Sequence, residues 1–236
     1  MATQERTNHR RIVTFSVMVG LTPLIPVPFV DELAKSYFKR RMTRELAASY
    51  NQTLTGADVK TLSDDADEGC LRGCLIGVLI YPLRWVFRKI FIFLEWKRAV
   101  DMATRAYYQG YLIDCALDQR WIAPAGQTNA AQAREAIDRV LKEVNPSLIE
   151  RAVKESFSQS KNILKGAARM LQTSLRRLTR RASEEQIEEA IEQVEPKEER
   201  EIEGVVARLQ QNIGKIPADH FDRLRAMLEA EMSKKS

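Results

Sequence analysis

The 236-residue chain carries two histidines, His9 and His220, and three cysteines, Cys70, Cys74 and Cys115. Chemistry that depends on imidazole or thiolate has little material to work with. Cys70 and Cys74 stand four residues apart, so on a helix both thiols share a face. A tetrahedral metal site needs two further ligands, and neither histidine is near them in the sequence. Buried apolar packing is the better account of the pair. Three cysteines with no even framework point to a reducing compartment. Asp64, Asp65, Asp67 and Glu68 cluster carboxylates, but without the alternating ligand positions and closing glutamate of a calcium loop, so a solvated, helix-capping loop is expected. Arg180-Arg181-Ala182-Ser183 has the form of a basophilic phosphorylation motif, although Ser183 with Gln186 reads first as a capping box. No phosphate-binding loop, dinucleotide fingerprint, nucleophile elbow or zinc-protease motif occurs. The sequence therefore nominates no catalytic residue, no metal and no cofactor, and reads as a non-enzyme.

What stands out instead is arginine and tryptophan set in apolar sequence. Residues 73–83 are uncharged, and the apolar run continues through residue 94 with Arg84, Arg88 and Lys89 inserted. A lysine or arginine at a bilayer centre costs about 2.5–3.5 kcal/mol, so three of them disfavour a plain membrane span. A helix lying in the interface avoids that cost. Its cations reach lipid phosphates while Trp85 and Trp96 sit at headgroup level. Arg84, Trp85, Arg88, Lys89, Phe91 and Trp96 are thus the candidate membrane- or partner-contact residues. The alternative is a core helix of a soluble bundle with its basic stripe outward.

The elements that position this segment are helical. Hydrophobic residues make up 44% and charged residues 29%, with 10 Gly and 8 Pro, a balance that fits neither a disordered chain nor a loop-rich β protein. Residues 12–30 are uncharged, but Pro23, Pro26 and Pro28 end the helix that starts near Ile12 at about Leu21. About ten residues rise roughly 15 Å, half of a bilayer core. Arg10 and Arg11 precede the stretch, and Lys35, Lys39, Arg40, Arg41 and Arg44 follow it. Both ends are expected on the cytoplasmic side, as in a re-entrant hairpin whose proline turn is covered by the second apolar segment. No small-residue cleavage site follows, so no secretory signal is expected.

About eight helices are expected in all. A basic amphipathic helix covers residues 31–50, a turn residues 51–56 and a short helix residues 57–62. With Pro82 as the one strong breaker, one kinked helix, or two meeting near Tyr81, covers residues 70–121. Another spans residues 130–144. Asn145 and Pro146 then open a long helix with its buried stripe running from Ile149 through Leu164 to Leu178. Pro196, Gly214 and Pro217 delimit the last two helices. The final stripe, Phe221, Leu224, Leu228 and Met232, is either a partner-docking face or a local core, covered most simply by Val205, Val206, Leu209 and Ile213 across the Gly214 turn. Charge divides the chain: residues 1–181 sum to +11 and residues 182–236 to −6. Three regions are expected: apolar and basic (1–121), amphipathic (122–182) and an acidic C-terminal unit (183–236). The glutamates after Arg176–Arg181 would repel phosphates, so nucleic acid is not an expected partner.

The run Gly20-Leu21-Thr22-Pro23-Leu24-Ile25-Pro26-Val27-Pro28-Phe29-Val30-Asp31-Glu32, then Arg44-Glu45-Leu46-Ala47-Ala48-Ser49-Tyr50, then Val59 and Leu62, resembles bacterial EcsC-like and YcjF-like proteins over about residues 12–62. The resemblance implies a bacterial, membrane-associated, non-enzymatic helical protein, in a group sometimes linked to GTPases. It transfers no catalytic residue. The expectation is a non-catalytic, peripheral or monotopic protein on the cytoplasmic face of the membrane, acting as a scaffold or adaptor on an anionic surface with a protein partner. The alternative is a soluble cytoplasmic helical subunit whose apolar segment is buried against another chain.

Overall fold

Turn and cap chemistry sets several of the helix ends. The computed structural model describes residues 2–25, 30–64, 88–122, 130–175 and 195–234, with single helical positions at 186, 189, 191 and 192. Among these residues there are nine α-helices and no strand: α1 (Ala2–Leu21), α2 (Val30–Ser49), α3 (Gly56–Ser63), α4 (Arg88–Asp118), α5 (Ala130–Glu143), α6 (Ser147–Gln159), α7 (Lys161–Leu175), α8 (Glu195–Ile213) and α9 (Ala218–Ser233). The all-α class is as expected. Pro82, the Cys70/Cys74 pair, the arginines at 176–181 and the Ser183 box lie outside the described residues.

The α2 helix ends on Asn51 at φ 54°, with the Gln52 amide donating 3.0 Å to the Ala47 carbonyl, a left-handed cap that asparagine tolerates. Arg120 closes α4 in the same conformation, at φ 57°, where a branched-chain alternative would be strained. Thr55 and Asp58 form a reciprocal capping box at the start of α3. Pro146 is the N-cap of α6, where the sequence offered Asn145; Asn145 Oδ1 accepts from the Ser147 amide at 3.0 Å one residue before it, and Gly214 ends α8.

Helix α1 is the centre of the molecule and runs antiparallel to α4. Asn8 pairs with Asp114, Ile12 lies against Gly110, and Gly20 lies against Ala103. The two glycines let the backbones approach. A β-carbon at position 20 would stand 2.8 Å from Ala103 Cβ, 2.9 Å from Phe157 Cζ and 3.0 Å from the Ala99 carbonyl. Helix α2 returns beside α1, and α8 covers another side of it. The expected hairpin around Pro23 is therefore present, but Val13, Phe15, Val17, Met18, Val19 and Leu21 are all buried in protein. Residues 12–25 of the first apolar stretch are thus the centre of the core, packed against protein where the re-entrant reading expected lipid. Burial of apolar area, about 25 cal/mol per Å², is what holds it there. Its cover includes the stretch of α4 between Ala99 and Leu117; the expected cover of the proline turn by residues 70–87 lies outside the described residues.

Three further differences have physical causes. Helix α1 begins at Ala2, ten residues before the apolar run, because its polar first half is held by polar contacts: Gln4 to the Ser49 carbonyl, Asn8 to Asp114 and Arg11 to Glu45. The long helix expected after Pro146 breaks at Ser160, at φ −120° and ψ 18°. There Ser160 Oγ accepts from Arg208, and Ser156 Oγ accepts from Asn212, so two serines turn toward α8. Helix α2 is less outward-facing than its charge pattern suggested: Lys35 and Lys39 are buried, Lys35 in a 2.5 Å pair with Glu32.

The last two helices take different partners. Helix α8 packs on α1, α6 and α7, whereas α9 packs on α5 and α4, and the apolar residues of both belong to the core that contains α1.

Candidate functional site

Two regions gather polar or exposed groups in a way that could serve function. The first lies where α1, α2 and α4 meet. Asp114 Oδ1 accepts from Asn8 Nδ2 at 2.9 Å and from the Tyr50 hydroxyl at 3.0 Å. Asn8 in turn accepts from Arg11, whose Nε donates to Glu45 at 2.9 Å, and Glu45 also accepts from Arg41. Burial raises the Asp114 carboxyl to about 6 against the hydrogen bonds that favour its anion, and burial with the neighbouring Asp114 charge raises Tyr50. A carboxyl that titrates near neutrality in a network is a proton-holding arrangement.

Beside it, a cleft of about 220 Å³ opens between α1, α2 and α8, lined by Arg10, Arg11, Glu45, Glu199 and Glu203 among others. Its cations are already matched, Arg10 to Glu203 at 3.0 Å and Arg11 to Glu45 at 2.9 Å. Burial and the Glu45 charge raise Glu199. The volume is below the range of about 300–1,000 Å³ usual for small-molecule sites, and Asp114 is not among the lining residues. Its proton is therefore not offered to a molecule in the cleft. The region reads as an ion-pair seam that fixes α2 and α8 on α1.

Both histidines rest on adjacent tyrosines of α4. His9 meets the edge of Tyr107 at 6.0 Å between ring centroids, and His220 Nε2 lies 3.0 Å from the Tyr108 hydroxyl. Burial lowers both imidazoles. Cys115 is buried and burial raises its thiol to about 11, an inert state. No group of three His, Cys, Asp or Glu among the described residues could hold a metal ion.

The second region is the N-terminal end of α4. Its register against α1, read from Asn8/Asp114 and Gly20/Ala103, places the end of α1 near Val100. Arg98 pairs with Asp31 at 3.5 Å, so α2 begins at the same level. Helix α4 starts at Arg88, which carries it about 18 Å past that level at 1.5 Å per residue. Leu94, half exposed at 50%, is the exposed large hydrophobic residue among those described.

The expected contact residues divide accordingly. Arg84 and Trp85 lie outside the described residues, and Arg88, Lys89 and Phe91 occupy the first turn of α4. Trp96 is partly buried against the core, with Lys161 Nζ 5.9 Å from its ring centroid. In the C-terminal stripe, Leu224, Leu228 and Met232 are buried within the chain, and Phe221 packs on Tyr111 at 5.3 Å between centroids. The cover is α5 and α4, not α8 across the Gly214 turn as expected, so this stripe is internal core.

Asn8, Tyr50 and Asp114 were not legible as a site. They come from three helices, and 106 residues separate Asn8 from Asp114. No family model matches the chain, and neither a curated protein nor a solved structure is detectably similar to it.

Proposed function

We propose that this is a non-catalytic, peripheral or monotopic membrane-associated protein, a helical scaffold that attaches through residues 70–96 on the cytoplasmic face of a bacterial membrane. The observation that carries the reading is the projection of α4 beyond the level at which α1 and α2 begin and end, with Leu94 exposed on it. In the sequence this projection continues an apolar run interrupted by Arg84, Arg88 and Lys89 and bounded by Trp85 and Trp96. An apolar helix with cations and indoles suits the headgroup boundary. Among the described residues no helix is long and apolar enough to cross a membrane, and the proposal requires none. The resemblance of residues 12–62 to EcsC-like and YcjF-like proteins points the same way and suggests a protein partner, a GTPase being the class it names.

Co-sedimentation of the purified full chain with vesicles of phosphatidylcholine, with and without phosphatidylserine, tests the proposal. The expected result is pelleting with vesicles, partly resistant to salt. Protein that stays monodisperse in the supernatant with both lipid mixtures overturns it and leaves the soluble scaffold with a buried apolar segment.

A further inference from the structure

Helix α7 carries Lys161, Lys165 and Arg169 and no acidic residue. The three cations are four residues apart, which places them in one row along about 12 Å of helix. All three are exposed and flank the side that Leu164, Ala167, Ala168 and Leu171 bury. No ion pair among the described residues engages any of them. Glu201 of α8 reaches the helix at Gly166, where its Oε1 lies 3.4 Å from the position a β-carbon would take. Lys161 opens the row, and it lies over the ring of Trp96 at the root of the α4 projection. Helix α7 also packs on the turn Thr22–Leu24 that follows α1.

We infer that the outward face of α7 is a headgroup-binding face that seats the protein on an anionic membrane surface beside the apolar projection of α4. The inference rests on the proposed membrane attachment and adds to it the lipid charge and the residues that read it. A row of cations next to an apolar, tryptophan-bearing element is the pairing that interfacial attachment uses: area burial from one, attraction to anionic lipid from the other. Helix α7 has no aromatic side chain on which bases could stack. The surface lipid presents is flat and negatively charged, and the row matches it.

The test compares the full-length wild type with Lys161→Gln/Lys165→Gln/Arg169→Gln, and with a charge-conserving control, Lys161→Arg/Lys165→Arg/Arg169→Lys. Partition is measured on vesicles of phosphatidylcholine alone and with phosphatidylserine, at low and high salt. Each surface cation is worth about a factor of five, so the glutamine variant is expected to bind phosphatidylserine vesicles about 100-fold more weakly at low salt. High salt narrows the gap. Binding to phosphatidylcholine alone is expected to be unchanged, and the control variant is expected to match wild type. If the glutamine variant binds phosphatidylserine vesicles as wild type does, the assignment of α7 is overturned while membrane attachment through α4 stands. If wild type binds neither vesicle, both readings fall. A single-stranded polynucleotide bound by wild type and lost in the glutamine variant, with lipid binding retained, assigns the row to nucleic acid and overturns the lipid face.

Discussion

Replacing Asp114 by Asn isolates the cost of the buried carboxylate. Both hydrogen bonds that reach Asp114 converge on Oδ1, so an amide oxygen there can accept from Asn8 and Tyr50 unchanged. What the substitution removes is the ionisation. Burial raises the carboxyl from an ordinary 3.8 to about 6, and the charges of Asp118 and Glu5 add to the rise. The folded state therefore holds this proton more tightly than the unfolded chain. The stability it contributes is complete below about pH 3.8 and is lost as the pH rises through 6. At 1.36 kcal/mol per pKa unit, the loss is about 3 kcal/mol by pH 8. Urea unfolding of wild type and Asp114→Asn at pH 4, 6 and 8 measures it, since other titrating groups cancel in the difference. The two proteins are expected to lie closest at pH 4, and the asparagine variant to gain about 3 kcal/mol on wild type by pH 8. A difference that stays flat with pH, or that moves toward the aspartate at pH 8, refutes the reasoning.

Gly20→Ala is expected to cost about 1–3 kcal/mol, because its β-carbon meets Ala103 Cβ and the Ala99 backbone carbonyl, neither of which can swing away. Gly110→Ala is expected to cost less, since the atoms it meets first, 2.8 and 3.0 Å away, are the flexible end of Met42; denaturation midpoints that rank the two in the opposite order count against the α1–α4 register. Arg134→Met removes the donor to the Leu62 carbonyl at 2.8 Å and leaves Asp138 without its 2.9 Å partner, for an expected loss of about 3 kcal/mol in chemical denaturation. Leu228→Ala is expected to lower stability by about 2–5 kcal/mol in the isolated protein, whereas a docking stripe would leave its thermal melting unchanged.

Where the chain punctuates itself, the sequence was enough. The turn before Gly56, the Asn145-Pro146 start, Gly214 and Pro217 all act locally, and the helices begin and end there. The first half of α1 was not legible, because hydrophobic periodicity registers only apolar burial and Asn8 and Arg11 are held by polar partners far along the chain. The break at Ser160 depends on Arg208 and Asn212 of α8, 48 and 56 residues away from the serines they bond. The stripe of α9 was recognisable, but its partner was not: proximity in sequence favoured α8, and packing selected α5. The α7 row was visible in principle. Three cations at four-residue spacing stand without an acid along the edge of its apolar stripe.

The antiparallel seating of α1 on α4 also governs how the protein must be made. Asn8 leaves the ribosome 106 residues before Asp114, which at about 5–20 residues per second is a delay of about 5–20 s. During that interval the most apolar part of α1, from Ile12 to Leu21, has been synthesised while the helix that finally covers it has not. Local hairpin contact with α2 can form early, but the α4 cover cannot, so the nascent chain exposes aggregation-prone surface for longer than a bundle of sequence neighbours would. Newly made chain should therefore depend on chaperone holding more than its compact helical end state suggests, and slowing translation between residues 21 and 99 should lower its soluble yield.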